Sequence, residues 1–435
     1  MEQTTNPSNG IFDKGKLFLK GIFIFLMALM LWVPTWFIMQ LVREREGRQK
    51  EAIADISSKW AGKQTVTGPL LLLPYNEQVV AENGSRNWVT REAWFMPDHA
   101  DIQSAVFPEK RHRGIYQVAV YRSDINIAIR FSPVNWQSLG IAPENILWNR
   151  AKIVMNVTDN LRGINEDVFL HWGDSNIVFH PRPAAVQGAP DILEASIPFS
   201  PELAAQDLSG SVKFSLNGSE NLLFTASARE NKLSMHSAWP NPSFTGVKLP
   251  DTRVVKDSGF TASWKFMNRS VPQVWQNKYF DLSSSLLGAD LVIPVDSYDK
   301  TERSVKYALL CIILTFAAFF LIETMYNKPL HLVQYGLAGL ALVLFYTLLL
   351  SISEYTGYNL AYLISGVSTI GLVAWYVGSV MRSGKLALFI SFVLGVVYSY
   401  IFTIIQLQDY ALLMGSIGLF AALAIIMYFS RKLQW

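Results

Sequence analysis

The stretch VKYALLCIILTFAAFFLIETMYNKPLHLVQYGLAGLALVLFYTLLLSI, residues 305–352, decides the class of this chain. It holds two apolar runs, Val305–Tyr326 and Leu330–Ile352, separated only by the connector 327–329. A helix rises about 1.5 Å per residue and a bilayer's hydrocarbon core is about 30 Å thick, so about 20 apolar residues make one crossing. Three further runs follow, Tyr358–Met381, Leu386–Ile405 and Tyr410–Ser430, and one precedes, Leu17–Val42. The sequence therefore predicts six transmembrane helices: an anchor at 17–42 and a five-helix bundle at 305–430, with tails at 1–16 and 431–435. The anchor follows Lys14, Lys16 and Lys20, as a secretory leader would. It is too long for one, lacks a small-x-small cleavage site and carries Trp32, Pro34 and Trp36, so it reads as a retained span.

The chain has 435 residues, 51% of them hydrophobic and 16% charged, and the charge is unevenly placed. Residues 304–435 hold six Lys/Arg and three Asp/Glu, whereas residues 43–303 hold 28 Lys/Arg and 29 Asp/Glu, a net of −1 (28 − 29). The polar region thus offers no basic field, which argues against a nucleic-acid partner and leaves the lipid bilayer as the first predicted one. A single cysteine, Cys311, excludes a disulfide within the chain.

Short cytoplasmic loops are enriched in Lys and Arg. Lys328 with His331, Arg382 with Lys385, and Arg431 with Lys432 fall on one side, and Glu354 and Asp409 in the outer loops on the other. This alternation places both termini in the cytoplasm of a bacterial cell and the region between the first two spans outside it. Arg43, Arg45, Arg48 and Lys50 oppose it, since they follow the anchor on its outer side, accompanied by Glu44, Glu46 and Glu51.

Residues 43–304 are expected to form a periplasmic, mainly antiparallel β domain with minor helices. Ile53, Ile56 and Trp60 keep a helical spacing, so a stalk is predicted over 43–61. Beyond it, Ile125, Ile127, Ile129 and Phe131, and later Phe260, Ala262, Trp264 and Phe266, alternate with polar residues as half-buried strands do. Asn217-Gly218, and also Asn83-Gly84, read as turns between antiparallel strands. The pattern suggests a sandwich or barrel-like sheet.

Catalytic and metal signatures are weak. The six histidines, His99, His112, His171, His180, His236 and His331, include no HExxH pair, and no Walker loop or GxSxG elbow occurs. Asp98, His99 and Asp101 in MPDHAD are the densest ligand-like group, read here as an exposed turn. No catalytic, cofactor or metal residues are assigned. Glu323, about one turn from the cytoplasmic end of the second span, can snorkel to the interface or pair with Lys328; a structural role is the first reading, and a functional residue at the membrane interface is the alternative. In the fifth span Ala387, Ser391, Gly395, Ser399 and Thr403 recur every four residues, a small and polar stripe suited to close helix packing; lining a ligand crevice is the alternative. Gly415-Ser416-Ile417-Gly418 reads as another packing site.

TVTGPLLLLPY (65–75), RHRGIYQVAVYRSD (111–124), VTDNLRGI (157–164), SAWPNPSFTG (237–246), DSGFTASW (257–264) and VDSYDKTERSVKYALL (295–310), with the spans that follow, resemble the CreD family of bacterial inner-membrane proteins over nearly the whole chain. The resemblance implies a role in envelope integrity, linked to the Cre two-component response and to tolerance of envelope-directed agents. It implies no reaction, catalytic residue or cofactor. Two functions follow as expectations: a non-enzymatic envelope protein whose outer domain binds a periplasmic or membrane partner, or a transporter or lipid-handling protein that uses the bundle. Oligomeric state is left open. Within the quoted segments, Gly68-Pro69 reads as a turn, and Trp239, Pro240 and Pro242 as scaffold around another, with an exposed aromatic-proline surface as the alternative.

Overall fold

A computed structural model describes residues 8–80, 85–158, 161–182, 192–276, 282–293, 297–326, 329–407 and 410–430. The chain divides into two compact units, Met1–Lys50 with Val295–Trp435, and Glu51–Pro294.

The first unit is helical: α1 (Ser8–Met30), the start of α2 (Trp32–Trp60), and, after the strand-rich unit, α4 (Ser297–Lys306), α5 (Ala308–Tyr326), α6 (Leu332–Thr356), α7 (Tyr358–Met381), α8 (Gly384–Gln406) and α9 (Ala411–Ser430). Among the described residues four stretches are long and apolar enough to cross a membrane: Leu19–Trp60, Leu332–Thr356, Tyr358–Met381 and Gly384–Gln406. A bent pair, Ser297–Lys306 with Ala308–Thr324, makes a fifth if it counts as one span. The sixth expected span corresponds to α9, 20 residues without a charged side chain.

The anchor is interrupted at Leu31, between α1 and α2, where Pro34 has no N–H to give the carbonyl of Met30, yet Leu19–Trp60 remains one apolar stretch. The second span, read from Val305 without a break, divides at Tyr307 into helices meeting at 44°. Tight helix contact is visible at Gly339, where a Cβ would lie 2.3 Å from Leu31 Cδ1 and 2.7 Å from Phe316 Cζ. A side chain there would push Leu31 and Phe316 aside.

The second unit begins with the end of α2, and its strands are β1 (Gln64–Val80), β2 (Arg86–Phe95), β3 (His99–Arg113), β4 (Tyr116–Phe131), β5 (Lys152–Val157), β6 (Phe169–Trp172), β7 (Ser175–Val178), β8 (His180–Arg182), β9 (Ile192–Ser196), β10 (Leu208–Ser219), β11 (Asn221–Thr225), β12 (Glu230–Ser237), β13 (Pro242–Gly246), β14 (Thr252–Lys256), β15 (Gly259–Met267), β16 (Val274–Gln276) and β17 (Leu286–Leu291). A short helix, α3 (Pro201–Ala204), starts where Ser200 Oγ accepts the Leu203 N–H and Pro201 takes the first turn. The strands form two sheets. Sheet A runs β13-β17-β11-β1-β5-β9-β8, with β2 also on β1 and β16 on β2; sheet B runs β14-β15-β12-β3-β4-β10-β6-β7.

Both sheets are mixed rather than antiparallel throughout, since β1 runs parallel to β11 and β3 parallel to β12. The predicted turn at Asn217-Gly218 is not one. Both residues lie inside β10, opposite Arg122 and Tyr121 of β4, and the chain passes to sheet A at Glu220, whose φ is +64°. Glycine is needed at 218 for space: a Cβ there would meet the Tyr121 hydroxyl at 2.2 Å. The other predicted turn, Asn83-Gly84, lies outside the described residues.

The inner faces share one core, with Ile125, Ile127, Ile129, Phe131 and Trp264 of sheet B packed with Leu71, Leu73, Tyr75, Ile153 and Phe224 of sheet A. Sheet A is covered on its other face too, where Leu70, Leu72, Met96, Val154, Val271 and Leu282 form a second cluster. That double burial is why β1 reads LLLL instead of alternating. Gly68-Pro69 is an irregularity inside β1, not a turn between elements. Trp239 is buried and its indole N–H donates to the Val292 carbonyl at 3.0 Å, while Phe244 stands edge-on to Phe260 and Trp264. Within WPNPSF, Trp239 and Phe244 thus pack toward the core, while Asn241 and Ser243 are exposed.

Candidate functional site

Two ion-pair clusters, each built on a carboxylate with little exposure, lie in the helical unit. At the first, α1 supplies Lys20, α5 supplies Glu323 and α6 supplies Tyr335. The Lys20 ammonium donates to Glu323 Oε1 and to the Leu330 carbonyl. The Tyr335 hydroxyl donates to Glu323 Oε2 at 2.8 Å, and its ring stands edge-on to Phe316 and Phe319 at 5.6 and 5.9 Å. Each carboxylate oxygen therefore has a donor, although the Glu323 side chain is only 9% exposed. A charge placed in hydrocarbon persists only when paired in this way. Lys328, the partner expected from sequence, lies outside the described residues. In the sequence Lys20 is one of the charges flanking the anchor, and 303 positions separate it from Glu323. Its one legible signal is that it stands among apolar neighbours, between Leu19 and Ile22.

At the second cluster, Glu354, expected in an outer loop, instead occupies the last turn of α6 with its side chain 8% exposed. It accepts from the Tyr298 hydroxyl of α4 at 3.0 Å and pairs with Arg45 of α2 at 3.8 Å. Arg43, two residues before Arg45, pairs with Glu302 of α4 at 3.4 Å. Further polar contacts tie α4 to its neighbours: Ser304 with the Tyr358 hydroxyl of α7 at 2.8 Å, and Lys300 with Gln406 of α8 at 3.2 Å. The buried face of α4 is accordingly polar, with Ser297, Thr301 and Ser304 on it. Between the two clusters the helices are filled by aromatic side chains. Phe345 stands edge-on to Tyr346, Tyr362 and Tyr398, the Tyr362 hydroxyl donates to the Tyr398 carbonyl at 2.8 Å, and the Cys311 thiol lies against the hydroxyls of Tyr346 and Tyr398.

The small stripe of α8 lies beside that helix's buried face, which consists of Leu386, Ile390, Leu394, Tyr398, Ile401, Ile404 and Ile405. Ala387 abuts Gly378 of α7, with 3.3 Å between its Cβ and one built on the glycine. Gly395 has open space around it, Ser399 and Thr403 are exposed, and the Ser391 and Thr403 hydroxyls turn back to carbonyls of their own helix. On α9, Gly418 packs against Tyr400, whose hydroxyl donates to the Met414 carbonyl.

In the strand-rich unit a groove of about 580 Å³ runs across the outer face of sheet B. Strand register builds it: His236, Ala105, Asp124 and Ser215 form one row across β12, β3, β4 and β10, and Ser234, Gln103, Asn126 and Lys213 form the next. Small side chains at 105, 215 and 234 keep the floor low, while Glu166 comes in from the loop after β5. Ser215 Oγ donates to Asp124 at 2.7 Å, and the Asn126 side-chain oxygen is buried without a hydrogen-bond partner. The groove thus offers both signs of charge and free acceptors to an extended polar ligand. At its margin Lys265, by hydrogen bond and charge, holds the Glu230 carboxyl below its ordinary range. Beneath the sheet, burial pushes the Tyr121 phenol well above its usual value while its hydroxyl donates to the Asn221 carbonyl at 2.6 Å.

The MPDHAD residues lie at the start of β3 rather than in a free turn. Asp98 accepts from the Ser132 N–H at 2.8 Å and pairs with Arg229, His99 faces Glu230 at 3.3 Å, and Lys232 pairs with Asp101 at 3.1 Å. These contacts follow from the parallel pairing of β3 with β12, and among the described residues no group of three or more His, Cys, Asp or Glu is arranged to hold a metal.

Comparison with known proteins assigns the chain. A protein from Escherichia coli K12 described as inner membrane protein CreD is 29% identical over 436 residues, covering 97% of this chain and 94% of its own length. A solved structure from Parabacteroides distasonis aligns over 66% of this chain and 59% of its own at 12% identity, with a TM-score of 0.19, too low to bear on fold or function. The family described as inner membrane protein CreD matches residues 16–435, and with several apolar helices long enough to span a bilayer, this chain belongs to the CreD family of multi-pass inner-membrane proteins.

Proposed function

We propose that the protein supports the integrity of the cell envelope from the inner membrane, without catalysing a reaction: its β unit binds a periplasmic or membrane partner, and its helices anchor and signal. The groove on sheet B carries this reading, since it combines Asp124, Glu166, Lys213 and His236 with the unpaired side-chain oxygen of Asn126. A photo-crosslinker at Gln103 or His236 in intact cells should capture a discrete partner. The same probe at exposed Lys256, on the edge strand β14, should not. Equal, diffuse capture from both positions would reject the groove as the binding surface.

This reading includes six spans with both termini in the cytoplasm, α9 being the last. Reporters fused after residue 200 should be active in the periplasm and those after Arg382 in the cytoplasm; the reverse pattern would overturn the orientation.

A second reading, transport or lipid handling by the bundle, has one observation behind it: the buried Lys20, Glu323 and Tyr335 group. Replacing the pair together, Lys20→Met with Glu323→Gln, separates the two. Loss of the envelope phenotype in a variant that still folds and inserts would favour transport; retention would leave the pair a structural one.

A further inference from the structure

A crevice lies where the helix leading into the second span changes direction by 44° at Tyr307, against the first turns of α2. A helix that turns away at such a bend cannot keep its side chains interlocked with its neighbour, and a space of about 220 Å³ lies between Trp32, Thr35, Trp36 and Met39 on α2 and Val305, Lys306 and Leu309 on the other side. Its walls offer no free polar group at depth, because the Thr35 hydroxyl is buried and donates to the Trp32 carbonyl at 2.6 Å. Trp32 and Trp36 are 61% and 52% exposed within a stretch apolar enough to span a membrane, so the crevice opens toward lipid.

Charge distinguishes one end. Lys306 lines the crevice where α4 meets α5 and is largely exposed. It shares a single carboxylate, Glu302, with Arg43: each cation is 3.4 Å from the same oxygen. Two cations against one anion leave a net positive charge at this end, above apolar walls framed by two tryptophans. Basic pockets between membrane helices suit anionic headgroups, and tryptophan favours the headgroup level.

From this arrangement we infer that the crevice is a binding site for one anionic phospholipid. An acyl chain lies along Met39, Leu309 and the two indoles, and the phosphate meets the Lys306 ammonium. The occupant is a lipid rather than a soluble anion, because the walls below the cation are apolar and face the bilayer. This site is separate from the sheet B groove, and its test does not depend on the partner proposed for that groove.

The test uses the full-length protein in detergent, with native mass spectrometry after titration with phosphatidylglycerol or phosphatidylethanolamine. One phosphatidylglycerol per chain should be retained in preference to phosphatidylethanolamine, and millimolar inorganic phosphate should not displace it. Lys306→Gln should lower the preference roughly fivefold, the value of one cation near an anionic lipid. Leu309→Trp, which fills the crevice and keeps the charge, should reduce retention of both lipids. Because either variant could perturb folding, quenching of tryptophan fluorescence by brominated-chain lipids supplies a readout on the unmodified protein: brominated phosphatidylglycerol should quench at lower mole fraction than brominated phosphatidylethanolamine, and Trp32→Phe with Trp36→Phe should remove the difference. Equal retention of the two lipids, displacement by phosphate, or quenching that does not discriminate headgroups would overturn the assignment.

Discussion

The two units use the same ion pairs to different ends. In the strand-rich unit, Lys232 with Asp101 and Arg91 with Glu77 lie across neighbouring strands with side chains 39–58% exposed. Water already solvates those charges, so such pairs contribute between about 0 and 1 kcal/mol. In the helical unit, Lys20 with Glu323 and Arg45 with Glu354 set carboxylates 8–9% exposed against cations from the anchor. There the Coulombic gain is larger, but so is the desolvation cost, and what matters is that neither partner is left alone. A charged pair at the surface is an ornament of the fold; a charged pair in the bundle decides which helices must stay together.

The widest test of that contrast removes one buried partner. Glu323→Ala, which strands Lys20 and the Tyr335 hydroxyl, should cost about 3–5 kcal/mol, read as a large fall in the unfolding midpoint in detergent. The double change Lys20→Met with Glu323→Gln should recover most of it. An unchanged midpoint in Glu323→Ala would mean that the pair does not hold the anchor.

Next in size is helix packing. Gly339→Leu drives a side chain into Leu31 and Phe316 and should cost about 1–3 kcal/mol or more, whereas Gly395→Leu, with open space around it, should stay within about 0.5 kcal/mol. A large loss at Gly395 would show that another chain covers the α8 stripe.

In the β unit, Tyr121→Phe should cost about 1 kcal/mol at neutral pH through the lost bond to the Asn221 carbonyl. The pH dependence is sharper. The folded phenol titrates well above its unfolded value of about 10, so raising the pH past 10 ionises the unfolded chain first and destabilises the native state. Wild type should lose stability there more steeply than Tyr121→Phe, as followed by denaturant unfolding at pH 8 and pH 11. Smallest of all, Lys232→Ala should shift stability by less than about 1 kcal/mol, and less still at high salt.

What the sequence made legible follows the same division. The alternation in DINIAIRF predicts β4 correctly because sheet B has one wet face, and the long apolar runs predict spans because lipid demands them. LLLL in β1 does not announce a strand covered on both faces, and Asn217-Gly218 misleads because local turn chemistry there is overridden by the close approach of Tyr121. The partners of Glu323 and Glu354 were invisible for another reason: both come from the far end of the chain. Arg43 and Arg45, which seemed to contradict the charge rule for the first span, are engaged by Glu302 and Glu354. That rule counts loop charges and has no means of counting their partners.

Those contacts also put a clock on how the protein is made. Arg43 leaves the ribosome 259 positions ahead of Glu302. At about 5–20 residues per second, the anchor therefore waits roughly 13–50 s before the carboxylate that neutralises it exists. During that interval the whole strand-rich unit is synthesised while the anchor's arginines have no mate in the later helices. The nascent chain must borrow a stand-in, whether lipid phosphate, the insertion machinery or Glu44 and Glu46 beside them, and surrender it when α4 arrives. Slowing synthesis between residues 50 and 300 should thus lengthen the life of a protease-accessible, half-inserted form, and exchanging the signs at 43 and 302 should leave the finished protein paired while changing how long that form survives.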